Sequence, residues 1–158
     1  MILSATGHRP EKLGGYGRPA YDRLFSFAMV VLQRLQPEEV ISGMALGWDT
    51  AVAEAAYILG IPFHAYLPFP SQASTWPRDS QKLHSNLCAV ASSIVTCSQD
   101  PYAGWKMSVR NDCMEAASDE ILALYNGDPT GGTANAVRHA LKVGKTVHNV
   151  WNEWKDFR

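Results

Sequence analysis

The segment LYNGDPTGGTANAVRHALKVGK, residues 124–145, predicts a strand, a glycine turn and a helix in that order. An apolar run ends before Gly-Asp-Pro-Thr, and apolar residues recur at helical spacing from Thr133 onward. Gly131 and Gly132 stand where the helix begins, although glycine is a poor helix former. Two interpretations are open: a tight turn with no further role, or an anion that approaches the backbone so closely that no side chain fits.

The same alternation of short apolar runs and longer helical segments extends along the whole chain. We predict strands at MILSAT, EVISG, PFHAYL, SSIVTC, DEILALY and TVHNVW, and helices at residues 20–35, 50–59, 77–91, 105–117 and 133–143. Strands that are separated by helices pair in parallel, through right-handed crossovers. The sequence therefore predicts an α/β fold, a Rossmann-like three-layer α/β/α sandwich with a mostly parallel sheet.

The composition is that of one folded domain without a broad charged surface. The chain has 158 residues, of which 46% are hydrophobic and 18% charged, so we expect a single domain over residues 1–158. The 14 basic and 15 acidic residues leave a formal charge of -1, with a pI near 6.5. Binding to nucleic-acid phosphates needs clustered basic residues, so the balance predicts no nucleic-acid partner.

The sequence predicts no disulfide framework, metal site or membrane segment. Cys88, Cys97 and Cys113 are odd in number and form no CxxC, so we interpret them as buried thiols in a reducing compartment. No run approaches the roughly 18 apolar residues of a membrane span, and no signal peptide is recognisable. We expect a cytoplasmic protein with no metal, no cofactor and no membrane partner.

In sheets of this class the ligand lies outside the carboxyl ends of the strands, so the residues that follow each strand are the candidates for function. After the first two strands these are Thr6, Gly7, His8, Arg9, Ser42, Gly43 and Met44. A surface turn with a stray basic pair is the alternative interpretation of the first group.

Two carboxylates follow the second strand. Asp49 stands where an N-cap residue belongs, before a helix predicted from Thr50, and Glu54 lies in the second turn of that helix. The structural alternatives are a helix cap for Asp49 and an exposed helix carboxylate for Glu54. As ligand-binding groups, either would accept both hydrogen bonds that a ribose cis-diol donates.

The segment after the fourth strand offers two aromatic side chains and a guanidinium. Tyr102 and Trp105 either stack on a base or cover the sheet edge. Arg110 lies among apolar residues, where an unpaired guanidinium is expensive to bury. We therefore expect Arg110 to meet an anion, which is either a ligand phosphate or an internal carboxylate such as Glu115 or Asp119.

The glycine turn after the fifth strand is the predicted phosphate site. Gly131 and Gly132 remove side chains at the junction of loop and helix, Thr133 offers a hydroxyl, and the first-turn amides point outward. The segment is not a P-loop because no Gly-Lys-Ser/Thr is present, and no GxGxxG follows the first strand. Asn111 and Asn126 complete the candidate ligand-binding residues.

Four segments together resemble the SLOG superfamily, in particular the family of small bacterial and phage proteins related to YpsA. They are TGHRP, VISGMALGWDTAVAEAA, RNDCMEAASDEILALYNG and GGTANAVRHALKVGK, and the resemblance covers nearly the whole chain. It implies a Rossmann-like fold that binds nucleotides or nucleotide-derived signals at the strand carboxyl ends. SLOG relatives often pair, which implies a homo-oligomer with Trp151, Trp154 and Phe157 as an interface element.

Two better-understood groups within this resemblance bracket the function. The second segment is similar to the Ser-Gly-x-Ala-x-Gly-x-Asp motif of the DNA-processing protein DprA, with Leu46 where that motif commonly carries a basic residue. That difference argues against single-stranded DNA binding. The later segments look like the LOG-type phosphoribohydrolases, whose Met-x-x-Arg-Lys-x-x-Met segment is matched by Met107, Arg110 and Met114.

The LOG-type resemblance lacks one catalytic residue. The glutamate of the Gly-Thr-x-x-Glu segment falls on Ala136, and alanine can neither orient water nor stabilise an oxocarbenium-like centre. We therefore expect no catalytic residues and a protein that senses, carries or sequesters a nucleoside phosphate or an ADP-ribose-like ligand. The alternatives are an N-glycosidase acting on nucleoside monophosphates or NAD-derived nucleotides, with Glu54 or Glu115 as its carboxylate, and a single-stranded DNA-binding module.

Overall fold

The computed structural model describes residues 1–158 and contains a six-stranded sheet in the order β4-β3-β2-β1-β5-β6 with every pair parallel. The strands are β1 (Ile2–Gly7), β2 (Glu39–Ser42), β3 (Phe63–Leu67), β4 (Ser93–Thr96), β5 (Glu120–Leu124) and β6 (Thr146–Asn149). The helices are α1 (Arg18–Leu35), α2 (Trp48–Ile58), α3 (Arg78–Val90), α4 (Gly104–Ala116), α5 (Gly132–Lys142) and α6 (Trp151–Asp156), and a 3-10 turn spans Pro10–Lys12. The predicted Rossmann-like sandwich is confirmed, with a sheet that is parallel throughout.

The strand order creates one switch point, between β1 and β5. From β1 the chain moves outward through β2 and β3 to β4, and α4 then carries it back to β5 on the other side of β1. Right-handed crossovers place α1, α2 and α3 on one face of the sheet and α4 and α5 on the other. The loops after β1 and β5 therefore diverge to opposite faces and leave a crevice between them.

The main core lies between the sheet and the helices α1 and α2. Phe27 and Trp48 are almost completely buried there, with ring centroids 5.8 Å apart. A methyl group at Gly7 would lie 2.5 Å from Trp48 Cδ1, so the last residue of β1 must be glycine for the indole to pack against it. The requirement for Gly7 thus comes from the core.

The carboxyl-terminal aromatic residues pack within the chain. The predicted final strand ends at Asn149, and α6 folds back onto α1. Trp154 is buried, and the ring of Phe27 lies 5.4 Å from Trp154 and 5.2 Å from Phe157 between centroids. Trp154 is therefore a core residue of this chain, and the interpretation of the tail as an interface element stays a prediction for Trp151 and Phe157.

The cysteines are more accessible than the sequence suggested. Cys88 and Cys97 are half-buried and Cys113 is exposed, so the interpretation of all three as buried thiols is wrong. Cys113 faces outward on α4. The residue type alone does not show this, because cysteine by itself is expected to be buried.

None of the helices combines the length and the apolar character that crossing a bilayer requires.

Candidate functional site

A cleft of about 570 Å³ opens at the switch point between β1 and β5, and we call it the switch-point cleft. It brings together eleven of the predicted residues: Thr6, Gly7, His8, Arg9, Asp49, Tyr102, Arg110, Asn111, Gly131, Gly132 and Thr133. Six others lie outside its lining: Ser42, Gly43, Met44, Glu54, Trp105 and Asn126. Sequence reasoning missed Lys12, which lines the cleft from the 3-10 turn after β1.

His8 joins the two loops that form the crevice. Its backbone N–H donates to the Leu124 carbonyl at 3.2 Å, and its Nε2 accepts from the Asn126 N–H at 3.0 Å. Burial lowers the pKa of His8, so the neutral ring that accepts this bond is favoured. Asn126 therefore acts through its backbone and positions the loop, and Arg9, which is exposed, supplies charge at the rim.

Arg110 reaches the floor of the cleft from α4 and is only 5% exposed. Its Nη1 donates to the Gly43 carbonyl, and its Nε donates to Asn111 Oδ1 at 2.8 Å. The only partner of Nη2 is Met107 Sδ at 4.0 Å, a weak acceptor. One end of this buried guanidinium is therefore left without an oxygen partner.

The two internal carboxylates proposed as partners of Arg110, Glu115 and Asp119, have other partners. Glu115 Oε1 lies 2.7 Å from His139 Nδ1, and Asp119 accepts from the Ile2 N–H at 2.7 Å. The prediction that either neutralises Arg110 is wrong, because they lie at the opposite end of α4 and at the start of β5. No carboxylate forms an ion pair with Arg110.

Asp49 is a buried carboxyl beside Arg110, and it does not cap α2. The helix begins at Trp48, two residues before the Thr50 start that an Asp49 cap requires, with Gly47 as its N-cap in a positive-φ conformation. Oδ2 accepts from the Ala45 N–H at 3.4 Å, and Oδ1 has no partner. Burial raises the pKa of Asp49 to about 6, and the charge of Arg110 partly opposes that rise.

Ser42, Gly43 and Met44 support the cleft from beneath. Ser42 Oγ donates to the Asp49 carbonyl at 2.8 Å and accepts from the Met44 N–H at 3.1 Å. A methyl group at Gly43 would lie 2.7 Å from Arg110 Nη1, so this glycine makes room for the guanidinium. These residues position Asp49 and Arg110 and do not line the cleft.

The predicted phosphate site lies at the amino end of α5. Gly131 is the N-cap residue at φ 96°, no side chain caps the helix, and no atom lies within 4 Å of the position a Gly132 side chain would take. The first-turn amides are therefore open to an anion. Asp128 orders the preceding loop: hydrogen bonds from Thr130, together with Lys12, lower its pKa to about 2.

The two candidate aromatic residues are both exposed, so neither is a core residue. Tyr102 is 67% exposed, lines the cleft and packs its ring edge-on against Phe69 at 5.7 Å. Trp105 is 64% exposed and lies just beyond the lining, in the first turn of α4. Large exposed aromatics beside a polar cleft provide surfaces on which bases stack.

Glu54 lies in a different cavity, and its placement in the crevice is wrong. This second cleft of about 700 Å³ lies between α1, α2 and the start of α3, and we call it the tyrosine cleft. There Tyr21 donates its hydroxyl to Glu54 Oε2. Glu115 is absent from the lining of both clefts, so neither glutamate of the N-glycosidase alternative reaches the switch-point cleft.

The fold and the cleft define a doubly wound α/β protein with a polar cleft at its switch point. Residues 20–157 match the family of DNA recombination-mediator protein A, and the chain belongs to that family. It is also 27% identical over 153 residues to YoqJ, an uncharacterized SPbeta prophage-derived protein of Bacillus subtilis, with 86% of this chain and 88% of that protein covered. The predicted SLOG-type relationship is confirmed.

Solved structures share the fold. This chain superposes on DNA processing protein A from Helicobacter pylori with a TM-score of 0.66 at 18% identity, over 99% of this chain and 72% of that one. The structure of that protein was solved to explain how it binds single-stranded DNA. DprA from Streptococcus pneumoniae gives 0.53 at 13% identity, covering 99% and 61%. TM1055 gives 0.56 at 15% identity, covering 92% and 71%.

These relatives correct one expectation. The prediction that nucleic acid is not a partner is wrong, because the family is one of DNA recombination mediators and a protein of the same fold binds single-stranded DNA. The physical reason is that a net charge of -1 averages over the whole surface. Arg9 and Lys12 follow β1 and Arg110 lies far along the chain on α4, yet all three line one cleft, together with the acidic Glu11 and Asp49.

Proposed function

We propose that this chain binds single-stranded nucleic acid, with one nucleotide unit in the switch-point cleft. The observation that carries the proposal is the buried Arg110 guanidinium, which has no ion-pair partner and whose Nη2 contacts only a sulfur atom. A phosphate oxygen supplies the acceptor that Nη2 lacks. Family membership and the DNA-binding neighbour support the same class of ligand.

The remaining parts of the cleft suit a nucleotide whose phosphate lies at the amino end of α5 and whose base lies against Tyr102. The backbone N–H groups of Gly132 and Thr133 donate to a phosphate at the amino end of α5, and Arg9 and Lys12 attract the nucleic-acid backbone at the rim. Tyr102 offers a stacking surface for the base. Stacking tolerates any base, so we expect little sequence preference.

A free nucleotide is the second candidate, and the volume of the cleft favours it. About 570 Å³ lies within the range of small-molecule sites, which is roughly 300–1,000 Å³. A nucleoside phosphate would use the same phosphate contacts without an extended strand. The N-glycosidase alternative finds no support, since Ala136 cannot serve and neither Glu54 nor Glu115 lines the cleft.

Fluorescence anisotropy with a labelled 20-nucleotide strand tests the proposal. We expect binding that weakens with salt along a log–log slope of roughly -2, since about three cationic side chains meet phosphate and each contributes about 0.7 for single strands. Unlabelled nucleoside monophosphate should compete only weakly. No binding of the strand at about 50 mM salt, where phosphate contacts are strongest, would refute the strand proposal, and thermal stabilisation by a mononucleotide in the same sample would establish the free-nucleotide alternative.

A further inference from the structure

A second group of chemically active side chains lies at the amino-terminal ends of three adjacent strands, away from both clefts. His64 of β3 is hydrogen bonded through Nδ1 to Ser93 Oγ of β4 at 2.6 Å and through Nε2 to Glu39 Oε1 of β2 at 3.1 Å. The parallel register places His64 opposite Ser93. A hydroxyl, an imidazole and a carboxylate therefore form one connected row across the sheet.

The chemistry of the three groups sets the direction of both hydrogen bonds. The Glu39 carboxylate can only accept, so His64 Nε2 carries the proton and donates to it. In the neutral ring Nδ1 is then an acceptor, and the Ser93 hydroxyl donates to it. A serine hydroxyl that points at a base, with the base held in one tautomer by a third group, is the arrangement that activates a serine nucleophile.

The serine is accessible to a small substrate. Ser93 is exposed, and β4 is the outermost strand of the sheet. Its free edge leaves backbone N–H groups without a strand partner, and these donors are available to a developing oxyanion. Val95, two residues further along β4, shares the face of Ser93, is exposed, and provides apolar surface for an acyl group.

The opposite side of the sheet contains a matched pair without the serine. His148 of β6 lies with Nε2 2.9 Å from Glu120 Oε1, the same pairing of imidazole and carboxylate across neighbouring parallel strands. No hydroxyl is hydrogen bonded to the other ring nitrogen of His148. A histidine that only ties two strands together needs no more than this pair, so Ser93 is the feature that distinguishes His64.

We propose that Ser93 is a nucleophile toward activated esters, with His64 as its general base and Glu39 as a positioning residue. Ser93 Oγ forms a bond to the acyl carbon while its proton passes to His64 Nδ1. Collapse of the tetrahedral adduct breaks the bond to the leaving oxygen, which takes that proton and departs as an alcohol or phenol. Water deprotonated by His64 then attacks the acyl-serine, releases the carboxylic acid and leaves Ser93 with its hydroxyl restored.

Incubation of the full chain with p-nitrophenyl acetate tests this proposal through p-nitrophenol release and mass spectrometric mapping of the acetyl group. We expect acetylation at Ser93, no such adduct in Ser93→Ala, and a rate at least about 100-fold lower in His64→Gln, the lower end of a general-base contribution. Glu39→Gln should keep Ser93 as the acetylated residue and move the pH midpoint of the rate. His148→Gln is the matched control and should react as wild type does.

The location of the acetyl group in the wild-type protein decides the proposal even if a variant fails to fold. Acetyl groups confined to lysines or the amino terminus, with Ser93 unmodified, overturn it. Equal losses of rate in His64→Gln and His148→Gln also overturn it, because that result would trace the effect to the strand-tying pair. Circular dichroism of each variant identifies any that is unfolded.

Discussion

Two clefts flank the loop between β2 and α2, and they differ in whether their polar side chains already have hydrogen-bond partners within the protein. The tyrosine cleft is the larger, at about 700 Å³ against 570 Å³, yet its carboxylate Glu54 is satisfied by Tyr21. In the switch-point cleft, Arg110 Nη2 lacks an oxygen partner and Asp49 Oδ1 lacks any partner. The smaller cleft therefore contains the groups whose hydrogen bonding is incomplete.

This difference is the reason that we propose the smaller cleft, and not the larger one, as the binding site. A buried polar group without a partner costs about 1–3 kcal/mol, so an unpaired Arg110 and Asp49 beside one cleft are expensive unless a ligand completes them. Tyr21 and Glu54 tie α1 to α2 and need nothing further. Three pairs of substitutions, one in each cleft, test this comparison.

The largest effect is expected from a carboxylate added at each helix start. Gly132→Asp places a negative charge where the first-turn amides of α5 are open, and no neighbouring atom opposes the side chain. Repulsion of phosphate by several kcal/mol should lower single-strand affinity more than about 100-fold while the fold is kept. Ser80→Asp, in the first turn of α3 beside the tyrosine cleft, is the control and should change affinity less than about two-fold, because its charge lies outside the site.

Anisotropy titration and thermal unfolding of both variants check this prediction. Wild-type affinity in Gly132→Asp would remove the amino end of α5 from the binding site. An equal loss in Ser80→Asp would mean that a general charge effect, or the tyrosine cleft itself, is responsible.

The second pair neutralises one carboxyl in each cleft, the buried Asp49 and the half-buried Glu54, and the two stability changes should have opposite signs. The pKa of Asp49 is raised from 3.8 to about 6, so the folded chain holds this proton more tightly than the unfolded chain. Between roughly pH 4 and 6 the free energy of unfolding therefore falls as pH rises, by a total of about 3 kcal/mol for a shift of about two units. Asp49→Asn removes this penalty and should be more stable than wild type above pH 6, with the difference shrinking toward pH 4.

Glu54→Gln should instead destabilise the protein. Tyr21 exchanges a carboxylate acceptor for an amide, and the weaker bond should lower the free energy of unfolding by about 1 kcal/mol. Urea unfolding of both variants at pH 4.5 and pH 7.5 measures the two effects. Changes of the same sign at pH 7.5 would contradict the distinction between a strained and a satisfied carboxyl.

The third pair removes one cation from each cleft. Arg110→Ala should weaken binding of the strand by about 1.5–3 kcal/mol, the range for a hydrogen bond to a charged group. Lys82→Ala, in the tyrosine cleft, should change affinity less than about two-fold, as expected for an exposed charge without a structural partner. Arg110→Lys separates charge from geometry, since lysine keeps the charge and loses the planar fork.

Unfolding curves accompany these titrations because Arg110 also donates to the Gly43 carbonyl. A folded Arg110→Ala variant that binds as wild type does would show that the guanidinium is structural. A marked loss in Lys82→Ala would instead assign the ligand to the tyrosine cleft.

Much of the fold follows from local pattern. The start of α5 was predicted within one residue, at Thr133 for an observed Gly132, because the glycine turn separates an apolar run from a helical period. The sixth helix, α6, was not predicted, and it shows where local sequence pattern is insufficient. Trp151 and Trp154 extend the apolar run of β6, and only their packing on α1 distinguishes a helix from a longer strand.

The candidate site was less accessible to prediction, although one error was avoidable. Asp49 and Glu54 are five residues apart on α2, which separates their directions by about 140° at 3.6 residues per turn, so they cannot face the same cleft. The role of Gly43 was beyond local pattern. Its carbonyl accepts a hydrogen bond from Arg110, 67 residues away in the chain, and the sequence around Gly43 does not predict such a contact.

The central position of β1 in the sheet also determines when, during synthesis, it can pair with strands on both sides. β1 pairs with β2 after about 40 residues of chain, but its other neighbour, β5, begins at Glu120. A nascent chain that ends before Glu120 therefore presents β1 as an open edge, with its amides free to pair with other molecules. Because closing so long a loop is slow, we expect the interval before the β1–β5 ladder forms to be one in which this chain is prone to aggregate.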